Sequence, residues 1–189
     1  MNHTNHIMRR VAVILLFILL NGCATPAQPQ QMMAQSISIP RIDQTSPLYH
    51  AIVIVKVHGG EQTNPFLTSK VGDQELEQAL RESMRQHGFL SESITDVPYR
   101  LEAFLVDLKQ PLSGYTLIVD SFIRYKLSST GDGNVIYDDI ITASDKATVD
   151  DAFYGPNRLK IANERSIRAN ITSFMERLFS LKVPQSTSR

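Results

Sequence analysis

The single cysteine of this chain, Cys23, stands directly behind a short apolar run in the order Leu20-Asn21-Gly22-Cys23. Upstream, Arg9 and Arg10 supply a positive charge ahead of Val11 to Leu20, an unbroken apolar stretch of signal-peptide length that is too short to span a bilayer. Gly22 is small enough for a peptidase pocket, so these residues read as a lipoprotein cleavage box, with either Met1 or Met8 as the start. The expectation is a signal peptide over 1–22 and a diacylglycerol thioether on Cys23, with a further acyl chain such as palmitate on the freed amine. Each buried methylene contributes about 0.8 kcal/mol, so several chains anchor permanently. The competing reading is a general signal peptide followed by an incidental cysteine. Ala24 replaces the aspartate that retains enterobacterial lipoproteins in the inner membrane, which points to the periplasmic face of the outer membrane. With its thiol acylated the chain has none for a disulfide, so its fold must rest on the core alone.

The 19 basic residues equal the 19 acidic ones and are scattered along the chain. Neither a nucleic-acid footprint nor a surface for acidic substrates is indicated. After cleavage the length suits one domain plus a tether. Residues 24–48 hold Pro26, Pro29, Pro40 and Pro47 among Gln, Ala and Ser, and predict, with the lipidated Cys23, a flexible tether over 23–48. As a random coil it would hold the domain roughly 25–30 Å from the membrane. Ser36-Ile37-Ser38-Ile39 alternates and offers an edge strand.

Residues 49–182 predict the folded domain, with a disordered tail over 183–189. Tyr49 to His58 is apolar on both faces in its middle and reads as a central strand. Past Gly59-Gly60, Asp73 is placed to N-cap a helix whose Leu76, Ala79, Leu80 and Met84 share a face and which Gly88 ends. Strands follow at Tyr99 to Leu108, Tyr115 to Leu127 and Val135 to Ala143, separated by turns at Gln110 to Gly114 and Thr130 to Asn134. A long helix from about Asn157 to Leu181 carries Ile167, Ile171, Phe174, Met175, Leu178 and Leu181 in one stripe. The order strand, helix, three strands, helix predicts an α+β two-layer sandwich, a four-stranded, mainly antiparallel sheet with both helices on one face. The first two strands, joined by a helical crossover, should be parallel, and the uncovered sheet face is the expected interaction surface.

Catalytic signals are weak. His50, His58 and His87 have no neighbour at metal-ligand spacing, and Asp138, Asp139, Asp145, Asp150 and Asp151 lack the spacing of a calcium loop. Leu112-Ser113-Gly114-Tyr115 is half a nucleophile elbow and reads better as a turn, and Gly131-Asp132-Gly133 joins two strands rather than opening a helix. No catalytic residue, metal or cofactor is expected. Asn163, Glu164, Arg165, Arg168 and Asn170 form a polar band on the last helix, either a solvated surface with internal ion pairs or a set of bonds to neighbouring loops or a partner. Tyr99, Tyr115, Arg124, Tyr125 and Tyr137 are the candidate interaction surface.

Gly60-Glu61 with Thr63-Asn64-Pro65, Thr68-Ser69-Lys70-Val71-Gly72, Gln110-Pro111-Leu112, Ala152-Phe153-Tyr154-Gly155, Arg158-Leu159, and Ala162-Asn163-Glu164 through Arg168-Ala169-Asn170-Ile171 resemble a family of small proteobacterial outer-membrane lipoproteins across roughly residues 51–181. Members are mostly uncharacterised, and some carry the name UDP-N-acetylglucosamine acyltransferase. An acyltransferase of that name resembles a left-handed β-helix of hexapeptide repeats, and this sequence has no such repeat. The layout is also similar to YajG-like and lipopolysaccharide-assembly lipoproteins. The resemblance implies a non-enzymatic accessory or assembly role beside an envelope protein partner. The alternatives are a binder of lipid, lipopolysaccharide or peptidoglycan fragments and an envelope glycolipid acyltransferase.

Overall fold

The computed structural model describes residues 24–35, 39–64, 68–93 and 95–183. The expected signal peptide, Cys23, Ser36 to Ser38 of the expected edge strand, and nearly all of the expected tail lie outside them.

The elements are α1 (Pro29–Met32), β1 (Ile52–His58), α2 (Asp73–Gln86), β2 (Tyr99–Lys109), β3 (Leu117–Ser129), β4 (Val135–Ala147) and α3 (Gly155–Ser180). The strands form one sheet in the order β1-β2-β3-β4, with β1 parallel to β2 and the other pairs antiparallel. This is the expected α+β arrangement. In β2 and β3 buried and exposed residues alternate, Leu101, Ala103 and Leu105 beside Val119, Ile123, Tyr125 and Leu127 facing the helices. Onto that face α2 lays Leu76, Leu80 and Met84, and α3 lays Ile167, Ile171, Phe174 and Leu178, in the main core, while Val119 joins Leu117, Ala147, Leu159 and Ala162 in a smaller second cluster. The period-2 alternation of the strands and the apolar stripes of the helices are matched halves of that core.

Two local expectations are corrected. β1 is an edge strand rather than a central one. Its outer edge is partly closed by the chain leaving α2, since the His50 and Ile52 amides donate to Gly88 and Phe89 carbonyls and the Ser91 amide donates to Ile52. The helix N-cap is Gly72, not Asp73. Asp73 opens the helix and its carboxylate accepts instead from the Gly60 amide at 2.6 Å, fixing the loop that leaves β1. That loop begins at Gly59, where φ is +92° and a β-carbon would stand 2.3 Å from the Leu105 carbonyl oxygen, so only glycine passes.

The largest correction concerns residues 24–35 and 39–48, which are folded onto the domain rather than extended as a tether. Ala27, Met32, Ala34, Ile39, Ile42 and Leu48 belong to the main core. Pro29 opens the single turn of α1, which packs between α2 and α3 and leaves Met32 fully buried. The segment is also tied by polar contacts: the Ala34 amide donates to Ser83 Oγ at 3.0 Å and the Ile42 amide donates to the His87 carbonyl at 2.9 Å. A proline-rich composition signals irregular backbone, and here the irregular backbone finds partners on the two helices.

Candidate functional site

The five residues expected to share an interaction surface are not brought together. Tyr125 is fully buried, stacked on Phe174, and its hydroxyl donates to Asn170 Oδ1 at 3.1 Å. Burial pushes that phenol well above its ordinary range. Tyr99 is buried, and Tyr137 is half-buried against the core beside Phe174. Desolvation raises both phenols. Period 2 places all three on the helix side of the sheet with the other inward residues. Only Arg124 and Tyr115 reach the surface, Arg124 on the open sheet face and Tyr115 in the loop before β3.

On the open face, Arg124 forms a two-pronged pair with Asp138 across β3 and β4, Nε to Oδ1 and Nη2 to Oδ2 both at 2.7 Å. The pair raises the guanidinium and lowers the carboxyl from their ordinary values. On the same face Phe104, Val106, Ile118 and Ile140 are exposed by 38–55 %, Phe104 and Ile140 directly opposite Arg124 on the neighbouring strands. His58 stacks on Phe104 at 4.7 Å, and a shallow hollow of about 200 Å³ lies between these rings and Arg124 and Lys126. Among the described residues no group of three His, Cys, Asp or Glu side chains is arranged to hold a metal ion.

A second constellation lies at the end of the sheet where β1 and β2 finish, β3 and α3 begin and β4 ends. It gathers stretches far apart in sequence. Ser69 Oγ donates to the Thr25 carbonyl at 2.8 Å, while the Ser69 carbonyl accepts from Gln110 Nε2 at 2.9 Å and Asn163 Nδ2 at 3.1 Å. Gln110 Nε2 also donates to Asn163 Oδ1 at 2.8 Å, and the Ala27 amide donates to the Lys70 carbonyl. The next residue, Glu164, accepts from the Gln28 amide at 2.7 Å. Desolvation raises the Glu164 carboxyl, opposed by that amide and by Lys160 and Arg168. Arg158, 7 % exposed, donates from Nη1 to the Ala152 and Phe153 carbonyls and from Nη2 to the Gly114 carbonyl, clamping two loops together.

The polar band of α3 therefore divides. Asn163, Glu164 and Asn170 are buried and bond to loops, the N-terminal segment and the sheet, whereas Arg165 forms a surface pair with Asp151. Ser69, Gln110, Arg158, Asn163 and Glu164 all fall within the motifs that carry the family resemblance, which is the sequence signal for this network. Its side-chain donors end on backbone carbonyls or, for Gln110, also on Asn163 Oδ1, and Glu164 accepts from a backbone amide, an arrangement that positions chain segments.

The fold is shared with solved proteins. Protein XCC0632 from Xanthomonas campestris, of the family-model DUF330, superposes with a TM-score of 0.58 at 12 % identity over 84 % of this chain and 96 % of that one. The hypothetical protein CT253 from Chlamydia trachomatis superposes with a TM-score of 0.50 at 9 % identity over 69 % of this chain and 95 % of that one. Lipoprotein GNA1162 from Neisseria meningitidis matches over 53 % of this chain and 69 % of its own at 9 % identity, with a TM-score of 0.29 that carries no weight. No family model matches the sequence, and no curated protein does. At these identities the likeness speaks for the arrangement of the sheet and helices alone.

Proposed function

We propose that the protein is a non-enzymatic lipoprotein, anchored through acyl chains on Cys23 at the periplasmic face of the outer membrane, that docks an envelope protein on its open sheet face as an accessory or assembly subunit. The observation that carries the docking reading is the asymmetry of the sheet. One face is covered by α2 and α3, while the other presents Phe104, Val106, Ile118 and Ile140 on the same face as the Arg124–Asp138 pair with no described element over them. Exposed aromatic and aliphatic side chains beside an arginine match the residue types enriched at protein interfaces. The cleavage box at Cys23 supports the anchor, and the absence of a hexapeptide repeat weighs against the acyltransferase name.

A photo-crosslinking residue placed in intact cells at Phe104, Ile118 or Ile140, and for comparison at Gln78 on the exposed side of α2, tests this. The reading requires one envelope protein captured from the sheet positions and not from Gln78. Equal capture from both faces, or capture from neither, would remove it. Radiolabelled fatty acid incorporated by the wild type and lost in Cys23→Ser checks the anchor separately.

A further inference from the structure

We infer that the end of the domain carrying the β2–β3 and β4–α3 loops rests on the phospholipid surface, with Leu112, Tyr115 and Phe153 inserted at the level of the headgroups. The inference rests on the lipid anchor proposed above. The first observation is the point at which the chain arrives. Ala24 is 5 % exposed and lines the cleft formed by Gly60 to Thr63 and Gly72 to Glu75, and Thr25 is bonded to Ser69. Cys23 is one peptide bond away, about 3.8 Å between α-carbons. An acylated Cys23 places its glycerol at the bilayer interface, so this end has no spacer with which to stand off from the membrane.

The second observation is independent of the anchor. The three most exposed large hydrophobic residues of the described chain are Leu112 at 103 %, Phe153 at 94 % and Tyr115 at 85 %, and all three sit on the two loops of this end. These loops are held. Buried Arg158 binds carbonyls of both, and Pro111 to Gly114 line a common hollow with Gly155, Pro156 and Leu159. Water-facing loop tips do not need an apolar residue at full exposure on a braced backbone, whereas an interfacial wedge does. Asp150 is exposed beside Val149 on the same β4–α3 turn, so attraction to anionic headgroups is not the source of affinity. Apolar insertion is, and binding should survive high salt.

The sequence contains no tryptophan, so a single introduced indole is a unique reporter. The full chain carrying Leu112→Trp, Phe153→Trp or, at the opposite end, Val135→Trp is purified with its lipid and placed in vesicles of phosphatidylethanolamine with brominated phosphatidylcholine. Emission from the Leu112 and Phe153 variants should shift to the blue and be quenched at least several-fold more by brominated than by ordinary lipid, unchanged in 0.5 M salt, while Val135→Trp stays in water. Indoles at Leu112 and Phe153 as unquenched as at Val135 would overturn the inference, as would a blue shift without bromine quenching, which would mean a protein cover. The acyl mass on Cys23 is read on the same samples. If it is missing, the anchor reading fails, and quenching of the unlipidated chain mixed with the same vesicles still decides the surface contact.

Discussion

The ring of Tyr125 on β3 lies flat against the ring of Phe174 on α3, centroids 3.9 Å apart and planes 3° from parallel. The contact fastens the long helix to the middle of the sheet, and the Tyr125 hydroxyl extends it through Asn170, whose Nδ2 donates to the Ile141 carbonyl at 2.8 Å. Tyr125→Phe keeps the stack and strands the Asn170 oxygen, costing about 1–3 kcal/mol. Phe174→Ala opens a cavity beneath the sheet and should cost about 3–5 kcal/mol. Urea unfolding gives both values, and an equal loss in the two variants would show that the hydroxyl, not the ring, carries the contact.

Met32 is the test of the folded N-terminal segment. It is fully buried within the main core, between helices that would face water at that point if residues 24–48 were a free tether. Met32→Ala should lower stability by about 2–5 kcal/mol, and the Ala34 amide, bonded to Ser83 Oγ, should exchange slowly with deuterium. A tether would give no change in the urea midpoint and no protection.

What the sequence made legible follows from how each signal arises. Strand alternation at Leu101 to Leu105 and Val119 to Leu127, and the stripe from Ile167 to Leu178, report burial directly, so the layer order and the parallel β1–β2 crossover were readable. The segment before Leu48 was not, because Met32, Ile39 and Ile42 stand at irregular spacing with no steady helical or strand period, and their burial is decided by the helices they meet. The aromatic candidates failed for a related reason. A tyrosine is equally at home in a core or in a cleft, and only the partner of its hydroxyl, Asn170 for Tyr125, tells which. The network of Ser69, Gln110 and Asn163 spans positions up to 94 residues apart, beyond the reach of any local pattern.

Two carboxylates on the loop end and the last helix should give opposite pH responses. Arg165 beside Asp151, Nη2 to Oδ1 at 2.6 Å, together with the Thr148 amide, holds the Asp151 carboxyl down at about 2. A lowered carboxyl contributes stability that is present above the unfolded value near 3.8 and is lost as pH falls through about 2. Asp151→Asn should therefore flatten the acid side of the stability profile between those values. Glu164 is raised by burial, so its contribution is present below its unfolded value of 4.5 and is lost as pH rises through its folded value. Glu164→Gln keeps an oxygen for the Gln28 amide and removes the buried charge, and should be at least as stable as wild type at pH 7. Thermal unfolding from pH 2 to pH 8 measures both, and parallel curves for the two variants would contradict these assignments.

Arg158 is where a conservative change should fail. Its planar fork reaches Ala152 and Phe153 from one nitrogen and Gly114 from the other, so a single buried side chain braces the loop before β3 against the loop before α3. A lysine places one ammonium on a flexible stem and cannot span both loops in that geometry. Arg158→Lys should leave the carbonyl of one loop unpaired and cost about 1.5–3 kcal/mol in global stability. The sharper readout is local. Amide exchange over residues 112–116 and 150–155 should accelerate by tenfold or more while the middle of β2 and β3 keeps its protection. If exchange instead rose evenly across the sheet, Arg158 would be stabilising the domain as a whole, and the two loops would owe their shape to the β-strand ends that carry them.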